Sequence, residues 1–93
     1  MPRPLSAAQV QAVIDAAVLE KAPDHRDTRR WHVVSNSQLL AVIEPAYRGL
    51  TRHGWRWKLA GGTWAARPEA NREKAAVVAL GAWQRWATSS EEK

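Results

Sequence analysis

Seven basic side chains fall within residues 45–74: Arg48, Arg52, Arg56, Lys58, Arg67, Arg72 and Lys74, set against Glu69 and Glu73. The resulting +5 equals the formal charge of the whole 93-residue chain, because residues 1–44 and residues 75–93 are each neutral. Guanidinium and ammonium groups gathered without counter-charge bind anions, above all phosphate and carboxylate. The acceptor this predicts is a nucleic acid or an acidic protein surface.

Other chemistry has weaker support. The absence of cysteine excludes disulfides, zinc ribbons and thiol catalysis. His25, His32 and His53 lack the spacing of metal ligands, so no metal is expected. No serine sits in a Gly-x-Ser-x-Gly turn, no glycine-rich phosphate loop is present, and the carboxylates are dispersed. The expectation is a protein that is not an enzyme and takes no cofactor. No run of 18 apolar residues is present, and Met1-Pro2-Arg3-Pro4 lacks the apolar core and cleavage site of a signal peptide. These features predict a cytoplasmic protein that does not engage a membrane.

The length suits one domain, residues 1–93. After a Pro-rich lead, Ser6 and Gln9 read as a capping box. Val10, Val13, Ile14, Ala17 and Val18 then repeat at helical spacing, predicting a helix over 6–21 that Pro23 ends. Residues 24–30 read as a charged loop. Strands are expected over 30–34 and 38–44, joined through Ser35-Asn36-Ser37. A two-residue turn at Asn36-Ser37 groups Trp31, Val33, Leu40 and Val42, whereas a three-residue turn pairs Val33 with Leu39. Both registers are open, and a one-residue slip exchanges the faces. Pro45 is read as the end of the second strand.

Trp55 to Leu59 alternates apolar and basic residues, and Gly61-Gly62 reads as a turn into a second run. The predicted strands are 55–60 and 63–67, with Trp55, Trp57, Leu59, Trp64 and Ala66 on one face. Arg56, Lys58 and Arg67 fall on the other, where Arg56 opposite Arg67 calls for an anion between them. The tryptophans of this hairpin are read as core, since the chain has six Trp and no Phe. Asn71 is the expected N-cap of a helix over 71–87, with Ala75, Ala76, Ala79, Leu80, Ala82, Trp83 and Trp86 turned inward. A polar tail, 88–93, follows. The predicted class is α+β, order αββββα: a four-stranded antiparallel sheet of two successive hairpins, packed on an N-terminal and a C-terminal helix.

Asn71-Arg72-Glu73-Lys74-Ala75-Ala76-Val77-Val78-Ala79-Leu80 resembles the start of the last helix of double-stranded-RNA-binding domains. In that family a Lys-Lys-x-x-Lys-like cluster grips phosphates ahead of an Ala-rich stretch. The resemblance implies phosphate contacts from Arg72 and Lys74; Glu69, Glu73 and a fourth strand depart from the pattern. The span from Trp55 to Leu80 is similar to the arm-site-binding domain of tyrosine integrases, which reads DNA through its sheet face. That likeness implies Arg56, Lys58 and Arg67 as readers. The expected function is therefore a small nucleic-acid-binding protein. The alternative is a stand-alone interaction module, an inhibitor or adaptor of phage or mobile-element type, that binds an acidic protein surface. A free sheet edge leaves both monomer and homodimer open.

Overall fold

The computed structural model describes residues 5–88. Its elements are α1 (Ala7–Asp15), β1 (Ala17–Lys21), α2 (His25–Thr28), β2 (Trp31–Ser35), β3 (Gln38–Arg48), β4 (Thr51–Leu59) and α3 (Arg72–Thr88). The strands form one antiparallel meander in the order β1-β2-β3-β4. The expected α+β class and αββββα order hold, with the single-turn α2 inserted in the segment read as a loop. The Pro-rich lead and residues 89–93 of the expected tail lie outside the described residues.

One strand comes from a different part of the chain. The helix predicted over 6–21 stops at Asp15, and its last third becomes β1. The capping box forms as expected: the Gln9 amide donates to Ser6 Oγ at 3.1 Å, and the Ser6 amide to Gln9 Oε1 at 2.8 Å. Val18 and Leu19 suit helix and strand alike, and β2 decides between them. Pairing with Val34 and Val33 satisfies the backbone and turns Leu19 towards the core. The Ser35 hydroxyl donates to the Val13 carbonyl at 2.7 Å and ties α1 to the adjoining strand.

The β2–β3 turn is the two-residue Asn36-Ser37, with both φ values positive (50° and 68°) as a type I′ hairpin turn requires. A bulge then shifts the register, so that Val34 faces Leu39 while Val33 faces Ala41. Leu40 is the extra residue, and both Leu40 and Ala41 enter the core. Beyond the bulge Trp31 meets Ile43, so Ile43 joins the core row that the two-residue reading assigned to Val42.

Two core rows cross the sheet: Leu19, Val33, Ala41 and Leu59, then Trp31, Ile43 and Trp57, the second row ending at the exposed Lys21. Over them α3 lays Ala75, Ala76, Ala79, Trp83 and Ala87. The Asn71 side chain caps α3 by accepting from the Lys74 amide at 2.7 Å. Small alanines bring the helix close to the sheet, and Trp83 fills the remaining depth. Trp86, grouped with the inward residues from the sequence, is 67% exposed.

β3 runs straight through Pro45, contrary to its reading as a strand end. The Trp55 amide and carbonyl, opposite Pro45, bond to Glu69 at 2.8 and 2.7 Å, so they point away from β3. The Pro45–Trp55 pair is therefore one that exchanges no hydrogen bonds. On its other side β2 has already ended at Trp31, opposite Ile43. The missing proline N–H is needed by neither neighbour.

Candidate nucleic-acid interface

The face of the sheet away from α3 carries the row Glu20, His32, Val42 and Lys58, with Glu44 and Arg56 paired beside it. Arg56 and Lys58 thus occupy the open face, as their alternation with Trp55, Trp57 and Leu59 predicts. Residues 63–67, however, form no strand. The chain does fold back after Gly61-Gly62, but its first hydrogen bond runs from the Ala65 amide to the Trp57 carbonyl, at 2.8 Å. The expected hairpin put Ala66 opposite Trp57. This one-residue slip transfers Trp64 from the core side to the open side. There its ring receives the Arg56 guanidinium at 4.1 Å and the Lys58 ammonium at 4.9 Å from the centroid.

Arg67 is consequently not the cross-strand neighbour of Arg56; it is exposed in the connection to α3. The residue opposite Arg56 is Glu44. Glu44 accepts from Arg56 Nε at 2.8 Å and from an Arg56 terminal nitrogen, and from Arg30 Nε at 2.8 Å. Arg30 also reaches Asp24 at 3.4 Å. The anion expected between two arginines is therefore internal, a carboxylate with only 12% of its side chain exposed.

Burial pushes the Glu44 carboxyl up, but hydrogen bonds from Arg30 and Arg56 and their positive charges outweigh it and hold the group below the ordinary carboxylate range. Glu44 therefore adds stability above the unfolded-state value of about 4.3, and that stability is lost as pH falls through the lowered folded value. Glu44→Gln removes the charge and leaves two guanidinium groups facing each other. The expected cost is about 2 kcal/mol, below the range for fully buried pairs because both arginines are partly solvated. Urea titrations at pH 7 and pH 3 check this: the difference between wild type and variant should shrink at the lower pH.

The remaining cations divide between two places. Arg72 and Lys74 start α3, where Arg72 lies 4.3 Å from the centre of the Trp31 ring and pairs with Glu73 at 3.2 Å. Trp31 belongs to a core row, so these two cations do not share the open face with Arg56 and Lys58. Arg48 and Arg52 sit at the end of the β3–β4 ribbon, which sequence reasoning took for a loop. Past the Pro45–Trp55 pair the two strands pair only with each other, through Tyr47–Arg52 and Arg48–Thr51. The chain turns at Gly49-Leu50, with Gly49 at φ 65°. Gly-X is the sequence of a type II′ hairpin turn, the signal that could have revealed this arm. Five residues of β3 beyond Ile43 make it about 16 Å long. Leu50 at its tip is 101% exposed and Tyr47 60%.

A groove of about 370 Å³ opens between Leu39, Leu40, Leu59, Gly61, Trp83 and Trp86; among the described residues, no titratable group lines it. Among the described residues, no helix is long and apolar enough to cross a membrane. Fold and site define an antiparallel meander backed by one long helix, with a protruding, cation-bearing ribbon. Comparison with protein-family models, curated proteins and solved structures found no match to this chain.

Proposed function

We propose that this chain is a small, non-enzymatic nucleic-acid-binding protein whose β3–β4 arm makes the leading contacts. One observation carries the reading: between Glu44 and Glu69 the chain holds Arg48, Arg52, Arg56, Lys58 and Arg67 and no carboxylate. The free end of that stretch projects from the body, and strand pairs of this kind are received in the grooves of duplexes. Arg48 and Arg52 reach phosphates first. Lys58 and Arg67 lie behind them, and Arg72 and Lys74 extend the charge around the start of α3. Binding of this kind is dominated by the backbone and sensitive to salt.

A second reading, an adaptor or inhibitor that docks on an acidic protein surface, draws on Glu44. Because Glu44 already engages Arg30 and Arg56, the open sheet face offers fewer unpaired cations to a polyanion. The arm is common to both readings, so the test separates them by ligand. In fluorescence anisotropy at low salt, wild type should bind mixed-sequence duplex DNA or RNA. Arg48→Glu combined with Arg52→Glu should weaken binding by at least about 30-fold, since two cations become repulsive. Unchanged affinity in the double variant would reject the arm as the contact. No binding by wild type would favour the protein partner.

A further inference from the structure

Leu50 has no role in the fold. Among the described residues it touches no core residue, although burial of a leucine is strongly favourable and turn positions ordinarily carry Asn, Asp, Ser or Gly. The turn does not require it, because the positive φ belongs to Gly49. Around Leu50 the surface is sharply composed: Arg48 and Arg52 follow on the two strands, Tyr47 is paired with Arg52, and no acidic residue occurs from Ala46 to Gly54. An apolar point with cationic shoulders matches a duplex, whose phosphates flank a groove floored by stacked base pairs.

Resting on the nucleic-acid reading above, we infer that Leu50 is a wedge. The arm enters the minor groove of duplex DNA, Arg48 and Arg52 hold the phosphates, and Leu50 inserts between adjacent base pairs and kinks the helix. Apolar wedges of this type unstack a step and bend DNA by roughly 20–90°. The protein is thus a DNA-bending protein as well as a binder. The bulge at His53-Gly54, where two residues of β4 are taken up against the single Ala46 of β3, bends the strand where the arm leaves the sheet.

Ligase-driven ring closure of a short DNA fragment reads bending without a known binding sequence. A fragment of about 120 bp is shorter than one persistence length and closes rarely by itself. Wild type should raise the yield of circles at least about tenfold. Leu50→Ser, at a fully exposed position, should fold normally, yet lose the stimulation when compared at protein concentrations that saturate the linear fragment. Wild type that binds without promoting circles overturns the wedge while the binding reading stands, and so does Leu50→Ser that promotes them equally well. Wild type that fails to bind DNA overturns the wedge, and wild type that binds neither duplex DNA nor duplex RNA overturns the binding reading as well. Sedimentation of wild type, but not Leu50→Ser, with anionic phospholipid vesicles in preference to DNA assigns the tip to a membrane surface and likewise rejects the wedge.

Discussion

Gly54→Ala is expected to destabilise the protein by about 3 kcal/mol or more, the sum of two independent penalties. Gly54 has φ +82°, and a Cβ added there would stand 2.5 Å from the Glu69 carbonyl oxygen. That oxygen cannot retreat cheaply, because it accepts the Trp55 amide at 2.8 Å while the Glu69 amide donates to Trp55 at 2.7 Å. Relieving the clash means giving up this pair, which closes the return of the chain against β4. Gly49→Ala is the control: its φ is +65°, but nothing lies within 4 Å of the added atom. Only the backbone penalty of about 1–2 kcal/mol applies there. Urea midpoints followed by tryptophan fluorescence should rank wild type above Gly49→Ala and that well above Gly54→Ala. Equal midpoints for the two variants would contradict the close packing of the Glu69 segment.

The second large effect is expected at Trp83. Its side chain is 6% exposed in the cluster formed by α3 and the inner face of the sheet. Removal of a buried tryptophan costs about 3–5 kcal/mol, a large part of the roughly 5–15 kcal/mol that holds a domain together. Trp83→Ala should therefore melt far below wild type in circular dichroism. Trp86→Ala, three residues on and exposed, should shift the melt by no more than about 0.5 kcal/mol. Comparable losses at the two positions would place Trp86 in the core and contradict the orientation of the last turn of α3.

The parts of this fold that can be read in advance are those whose signals are local. Ser6 and Gln9 cap α1, Asn71 caps α3, and the alternation in β4 correctly separates Trp55, Trp57 and Leu59 from Arg56 and Lys58, whereas the sequence leaves Asn36-Ser37 as one of two open turns between β2 and β3. Errors arise where a neighbour distant in sequence decides. Ala17–Lys21 fits a helix by periodicity and becomes a strand because β2 presents an unpaired edge. Pro45 blocks a strand only where its N–H would be used, and both possible partners of that N–H point elsewhere or have ended.

The candidate site shows the same division. The cluster of basic residues is plain in the chain, but its partners are not. Glu44 meets Arg56 because β4 pairs with β3, whereas the glycines at 61–62 suggest a partner on the other side. Once β4 belongs to β3, the arm follows from Gly49-Leu50, and the return segment slips by one residue. Trp64, expected in the core, then covers Arg56 and Lys58. Arg30, Glu44, Tyr47 and Leu50, none of them conspicuous in the sequence, acquire roles only through this pairing.

The proposal that the arm binds a polyanion is tested most directly by the salt dependence of duplex binding. Anisotropy titrations of wild type from about 50 to 200 mM salt should give a linear fall of log Kobs with log salt, with a slope near −3 to −4 for four or so phosphate contacts. Arg48→Glu with Arg52→Glu should flatten that slope by about 2. A slope near zero, or no binding at 50 mM salt, would contradict the account.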